Sequence, residues 1–113
     1  MTTKEYFVVA NSFAAPFVSD RSTGFAEGLT PADALRSFAA SYKHPAGLYA
    51  AAIYHDADAY HKSDPSLARW LSNQAALLQD ITGHSILVRS PGNIEIDGVL
   101  TVLHNPKQGQ IVL

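Results

Sequence analysis

The fold is decided by the stretch Tyr42–Asn73, YKHPAGLYAAAIYHDADAYHKSDPSLARWLSN. Its apolar part, Gly47–Tyr54 (GLYAAAIY), is too short to cross a membrane as a helix, and it is bounded by a Pro-Ala-Gly turn and by a polar run that begins at His55. This pattern predicts a buried central strand around which the rest of the chain packs. The stretch also holds three of the five histidines, four of the five tyrosines and the only tryptophan, so we look here first for chemistry.

Composition predicts one globular domain over residues 1–113, because 47% of the residues are hydrophobic and only 16% are charged. The low charge also favours a homo-oligomer, which would cover part of the uncharged surface. The absence of cysteine excludes disulfides and thiolate metal sites. A net charge of −2 argues against binding to genomic nucleic acid. The first residues, MTTKEYFVVANSF, lack the features of a signal peptide, so we expect a cytoplasmic protein that does not contact membranes.

The first half of the chain predicts strands followed by a helix. Tyr6–Ala10 and Gly24–Gly28 have strand character, and Pro16 confines the segment Phe13–Val18 to a sheet edge or a strand end. A helix should begin at Thr30-Pro31, with the threonine hydroxyl as cap and proline at the first helical position.

The second half predicts another helix and a hairpin. Ser63-Asp64-Pro65 repeats the capping signal, with Asp64 as the cap, and the apolar stripe that follows should form a helix ending near Gly83. His84–Val88 is a predicted strand, and Asp97-Gly98 is typical of a two-residue hairpin turn. The final Ile-Val-Leu is either a last strand or an oligomer contact. These elements predict an α+β fold, with a mostly antiparallel β-sheet flanked by two longer α-helices.

The most enzyme-like cluster is His55, Asp56, Asp58 and His61. In an extended chain the two aspartates would lie on one face and the two histidines on the other, so a metal site would need a turn to bring them together. A metal-assisted phosphodiesterase built on these residues is therefore an alternative, and a solvated loop is the simpler interpretation. Single histidines near turns are usually structural, and no G-x-S-x-G motif supports acyl transfer.

Two polar loops carry the residue types that bind a small nucleotide. One combines Asn11-Ser12-Phe13 with Ser19-Asp20-Arg21-Ser22, and the other is Arg89-Ser90-Pro91-Gly92-Asn93. Arginine binds phosphate oxygens with two hydrogen bonds, hydroxyl and amide groups complete the shell, and an aromatic face stacks on a base. Composition alone favours ordinary solvated turns. Trp70, in the apolar stripe, is likewise more typical of a core residue than of a ligand platform.

Four segments resemble the first family of Thoeris anti-defence proteins, which phages encode. They are VANSFAAPFVSDRSTGF (Val9–Phe25), YKHPAGLYAAAIY (Tyr42–Tyr54), AYHKSDPSLARWLSN (Ala59–Asn73) and SPGNIEIDG (Ser90–Gly98). The resemblance extends over nearly the whole chain and is one of pattern, since none of the segments is a catalytic signature.

The resemblance implies a sponge for immune signals. Members of that family bind cyclic ADP-ribose isomers made by a bacterial TIR-domain enzyme and hold them uncleaved, and some are hexamers that bind cyclic oligonucleotides at separate sites between subunits. Carried over by motif, Asn93 would contact the nucleotide signal, and Ser12 and Arg21 would contact oligonucleotide phosphates. Chemistry adds a second set of candidates, namely Arg69, Arg89, Phe13 and Trp70.

The sequence thus predicts a protein that binds a small cyclic nucleotide as a homo-oligomer, from dimer to hexamer, without catalysis. It predicts no cofactor and no metal. A captor needs arginine, hydroxyl, amide and aromatic groups rather than a base aimed at a scissile bond, and this inventory is present. Besides the phosphodiesterase, a small protein-interaction module remains an alternative.

Overall fold

The computed structural model describes residues 2–14 and 21–113, which form an α+β fold. The strands are β1 (Lys4–Ser12), β2 (Ser22–Gly28), β3 (Leu48–Tyr54), β4 (Ala68–Ser72), β5 (Ile86–Ser90), β6 (Asn93–Ile96), β7 (Val99–Val102) and β8 (Gly109–Val112). The helices are α1 (Pro31–Ala40), α2 (Ala57–His61) and α3 (Asn73–Asp80). All pairings are antiparallel, in a main sheet of order β2-β1-β3-β4-β8 and a second sheet of order β5-β6-β7. The predicted fold class is confirmed.

The alanine-rich segment is the central strand of the main sheet, as predicted. β3 lies between β1 and β4, and its side chains alternate between the two faces. On one face Ile53 packs with Val8 of β1 and with Leu35 of α1, and all three are fully buried. This face of the sheet and α1 together form the larger of the two core clusters.

Helix α1 begins where its sequence predicts. The Thr30 hydroxyl accepts a hydrogen bond from the backbone N–H of Asp33 at 3.1 Å, and Pro31 occupies the first helical position. The first turn lies very close to β2, because a β-carbon at Gly28 would stand 2.4 Å from the backbone nitrogen of Ala34. The absence of a side chain at Gly28 therefore allows α1 to pack closely against β2.

The second predicted helix is wrong over its first half. Residues Ala68–Ser72 form β4, hydrogen-bonded between β3 and β8, and the helix α3 starts only at Asn73. Its cap is Ser72, whose hydroxyl accepts a hydrogen bond from the N–H of Ala75 at 3.1 Å. Apolar residues at helical spacing also fit a strand that is covered on both faces, and here pairing with two neighbouring strands outweighed the helical pattern.

The segment after β3 folds back as a short helix rather than staying extended. The Asp56 carboxylate caps α2 by accepting a hydrogen bond from the N–H of Ala59 at 2.8 Å, and Asp58 forms an ion pair with Lys62 at 2.7 Å. Asp64 caps no helix, so that prediction is wrong. The two aspartates that suggested a metal site are used to build this turn of helix.

The second sheet contains the predicted Asp-Gly hairpin. Asp97 and Gly98 have φ angles of 51° and 82°, which suit the two central positions of a type I′ turn. The Asp97 carboxylate also accepts a hydrogen bond from the N–H of Ser85 and lies 2.7 Å from Nδ1 of His84. These hydrogen bonds, that of His84 first, lower the pKa of Asp97 and tie the turn to the start of β5.

A buried amide joins the second sheet to the main one. Gln74 in α3 is only 1% exposed, and its side-chain oxygen accepts a hydrogen bond from the N–H of Gly92 at 2.7 Å. The backbone N–H groups of Asn73 and Gln74 donate to Gln108 and Pro106, which lie in the segment between β7 and β8. The start of α3 therefore fixes the position of the β5–β6 turn.

The last described strand completes the main sheet. The final apolar residues contribute to β8, which pairs with β4 as a last strand. Phe13 lies in a turn, and residues 15–18 of the predicted edge segment fall outside the described residues, as do residues 19 and 20 of the first polar loop. Within the described residues, no helix has the length and apolar character needed to span a membrane.

The close approach at Gly28 can be tested by adding a methyl group. Gly28→Ala should destabilise the fold by about 1–3 kcal/mol, because the new carbon would overlap the backbone of Ala34, which cannot move without displacing α1. Gly24→Ala, on the same strand and the same face, is the control, since its nearest neighbour is a ring carbon of Phe38 at 4.0 Å. Urea unfolding of the two variants measures the difference, and equal stabilities would contradict the packing described.

The amide joint gives a second test. Gln74→Leu should cost about 1–3 kcal/mol in unfolding free energy, because it leaves the buried N–H of Gly92 without its acceptor. Gln79→Leu, an exposed position on the same helix, should change stability little. Hydrogen exchange of the Gly92 amide provides a local readout, and unchanged protection in Gln74→Leu would show that the joint does not depend on this bond.

Candidate functional site

A shallow cavity of about 210 Å³ lies on the face of the main sheet opposite α1. Strand alternation places one set of side chains from three neighbouring strands there. They are Val9 and Asn11 of β1, Ala50, Ala52 and Tyr54 of β3, and Arg69 and Leu71 of β4. Ala51 of β3, Arg21, Tyr60 and Gln79 complete the lining. The floor is made of small side chains, so a flat group could approach the backbone of the central strand closely.

Two arginines face this cavity without a carboxylate partner. Arg36 is paired with Asp33 at 3.0 Å, and Arg89 is paired with Glu95. Arg21 and Arg69 form no ion pair with any residue in 2–14 or 21–113, and both line the cavity. Two guanidinium groups whose charge is not neutralised by the described residues favour an anion with several oxygens, such as a diphosphate.

Tyr60 holds one of these arginines at the cavity. Its hydroxyl accepts a hydrogen bond from Nη1 of Arg21 at 3.3 Å. The Tyr60 ring packs edge to face on Tyr54, with centroids 5.2 Å apart, and also contacts Phe7. Helix α2 presents Tyr60 to the sheet, so the HDADAYH segment contributes to the site through its tyrosine and not through its histidines or aspartates.

Trp70 lies on the opposite face of the sheet from Arg69. The two residues are adjacent in β4, and neighbouring side chains of a strand point to opposite sides. Trp70 packs against the α1 side of the core and borders a separate, wider concavity of about 520 Å³. Arg69 and Trp70, both predicted site residues, therefore do not act in one site, and the interpretation of Trp70 as a core residue is favoured.

Ser12 and Phe13 lie near the end of β1 and do not line the cavity. The Ser12 hydroxyl is buried and accepts a hydrogen bond from the N–H of Ala14 at 3.2 Å. The Phe13 ring packs edge to face on Tyr49, and the ammonium of Lys107 lies 5.8 Å from its centroid. Burial raises the pKa of the Tyr49 hydroxyl, which keeps that ring neutral and apolar. Phe13 is thus partly covered by protein groups.

Asn93 and Arg89 belong to the second sheet and form their own polar cluster. The Asn93 amide donates a hydrogen bond to the Ser90 hydroxyl at 2.7 Å, across the two-residue Pro-Gly turn. Arg89 pairs with Glu95 on the neighbouring strand. The two polar loops predicted from the sequence therefore do not meet in one cavity. Arg21 lines the cavity on the main sheet together with Arg69, whereas Asn93 lies in β6 of the second sheet.

The histidines do not form a metal centre. Within the described residues, no group of three His, Asp or Glu side chains converges as metal ligands do. His44 accepts a hydrogen bond at Nδ1 from the N–H of Ala46, 3.1 Å away, and stacks on Tyr42. These contacts place His44 in the turn before β3.

Among the residues of the cavity with polar side chains, the sequence missed three, Tyr54, Tyr60 and Gln79. Alternation along β3 could have placed Tyr54 on the same face as Ala50 and Ala52. Tyr60 and Gln79 reach the cavity from helices whose positions depend on tertiary packing. No local sequence pattern predicts that these two side chains line the cavity. The combined set of guanidinium, phenol and amide groups can bind an anion next to a planar or sugar ring.

Comparison with protein-family models, with curated proteins and with solved structures finds no match to this chain. The two guanidinium groups of the cavity favour an anionic ligand.

Proposed function

We propose that this protein binds and sequesters a cyclic nucleotide immune signal without cleaving it, as a phage-type counter-defence sponge. The observation that carries the proposal is the convergence of Arg21 and Arg69, the two arginines without a carboxylate partner in the described residues, on one cavity. The ligand class comes from the resemblance: cyclic ADP-ribose isomers, and cyclic oligonucleotides as a second class.

In the proposed complex the phosphates lie between the two guanidinium groups. Each arginine can donate two hydrogen bonds to phosphate oxygens. The alanine floor leaves room for a ribose or base, with the Tyr54 and Tyr60 rings beside it and the Asn11 and Gln79 amides at the rim. No covalent step is required, since retention of the signal is the whole function.

The size of the cavity bears on how tightly a signal could be held. At about 210 Å³ it is smaller than the roughly 300–1,000 Å³ typical of sites that enclose a small ligand. A cyclic dinucleotide-sized molecule would project beyond it. Nanomolar capture requires about −12 kcal/mol, so we propose that further subunits of a homo-oligomer, from dimer to hexamer, cover the exposed part of the ligand. The working location would be the cytoplasm of the host cell, where the signal is made.

The proposal predicts that the ligand survives binding. When the protein is mixed with a cyclic ADP-ribose isomer, separated from free ligand and then heated, the released nucleotide should be the intact cyclic molecule, as chromatography and mass spectrometry can verify. Linear ADP-ribose in the eluate would instead indicate an enzyme. No retained nucleotide, together with an unchanged Tm on addition of ligand, would favour the protein-interaction module.

The two arginines should carry much of the affinity. Arg21→Ala and Arg69→Ala should each weaken nucleotide binding by about 1.5–3 kcal/mol in calorimetry, because each removes charge-assisted hydrogen bonds. Arg36→Ala is the matched control, since Arg36 lies on the α1 side and is already paired with Asp33. Equal affinities for all three variants would remove the cavity from consideration.

Asn93 tests whether a second nucleotide contact exists. If Asn93 contacts the cyclic ADP-ribose isomer, Asn93→Ala should weaken that ligand by about 1–3 kcal/mol and leave the fold intact. If Asn93 gives the cyclic ADP-ribose isomer a site of its own outside the arginine cavity, Arg21→Ala should affect a cyclic oligonucleotide more than a cyclic ADP-ribose isomer. Equal losses for both ligands in both variants would contradict two separate sites, and no loss in Asn93→Ala would exclude that residue.

A further inference from the structure

The outer strand of the second sheet, β7, has an unprotected edge. In the described residues, β7 pairs with β6 on one side only. Its sequence, Val99-Leu100-Thr101-Val102, has no charge and no proline, and Val99, Leu100 and Val102 are 66%, 57% and 57% exposed. Natural sheets normally protect such an edge with lysine, proline or a bulge.

Two of the other three sheet edges carry protection that β7 lacks, and the third, β8, has its apolar side chains Ile111 and Val112 packed against the core. β5 contains Arg89 and a register irregularity between Val88 and Ser90. β2 carries the exposed carboxylate of Glu27 and lies beneath the first turn of α1. The contrast between β7 and these edges argues that β7 is covered by another strand rather than left to solvent.

We propose that β7 pairs antiparallel with β7 of a second copy of this chain, which joins two three-stranded sheets into one of six strands. An antiparallel pair of identical strands is self-complementary about a two-fold axis. Because the strand carries no charge, no like charges meet at the seam. In the register centred on Thr101, Leu100 lies opposite the partner's Val102.

This register covers apolar surface in addition to completing hydrogen bonds. Leu87, Leu100 and Val102 share one face of the second sheet, since Leu87 and Leu100 both lie beside Glu95 and Val102 lies two residues further along β7. Pairing would place Leu100 beside the partner's Val102 on this face, while Leu87 lies two strands further from the axis. Backbone hydrogen bonds would fix the orientation and apolar contact would add affinity.

The register can be tested with a single cysteine, because the natural chain has none. Residues at the symmetry axis of an antiparallel pair have Cα atoms about 4.5–5.5 Å apart, within the roughly 4.4–6.8 Å range of a disulfide. Thr101→Cys should therefore form a covalent dimer on mild oxidation, seen on a non-reducing gel. Leu29→Cys, at a 48% exposed position in the loop before α1, is the control and should not.

The interface itself is tested by mass measurement without nucleotide, so its failure is separable from failure of ligand binding. Native mass spectrometry of the wild type should show an even-numbered oligomer. Leu100→Lys and Val102→Lys should each lower the mass of the oligomer to half or less of the wild-type value. Leu29→Lys is the control and should leave the mass unchanged. Circular dichroism checks that all three variants remain folded. A monomeric wild type, or unchanged mass in both lysine variants on β7, would overturn the proposal.

Discussion

The packing on both faces of the main sheet depends on a central strand, β3, whose middle side chains are small. Alanine at positions 50, 51 and 52 of β3 lets two different layers approach it. On one side α1 comes close enough for Leu35 to be fully buried beside Ile53. On the other side the same small residues form the floor of the cavity between Arg21 and Arg69. Larger side chains in β3 would fill the space that the cavity occupies.

The position of β4 beside this strand determines which groups reach which face. Arg69 and Trp70 are neighbours in sequence, yet a strand separates them by the thickness of the sheet. A helix over the same residues, as the apolar spacing suggested, would have placed them on adjacent parts of one surface. Because this segment is a strand and not a helix, Arg69 and Trp70 do not form one site. Arg69 lines the cavity on one face of the sheet, and Trp70 packs in the core on the other.

Local signals predicted much of the fold. The cap at Thr30, the Asp-Gly turn and the apolar run at Gly47–Tyr54 each depend on a few neighbouring residues, and each is where the sequence indicates. The strand at Ala68–Ser72 depends on pairing with residues fifteen or more positions away, which the pattern of one segment does not encode. For the site, Arg21 and Arg69 were predicted by type, but their convergence and the supporting hydrogen bond from Arg21 to Tyr60 are tertiary facts.

The joint at Gln74 has a consequence for assembly. One buried amide and a few backbone hydrogen bonds hold the second sheet at its angle to the main sheet. The molecule as a whole, including both sheets, measures 50 × 27 × 23 Å. If a second copy pairs along β7, both copies have the same angle between their two sheets. That angle then sets the distance between the two arginine cavities. Because a two-fold contact closes at two copies, the orientation of the two cavities within that pair would be determined at the Gln74 joint, away from the contact itself.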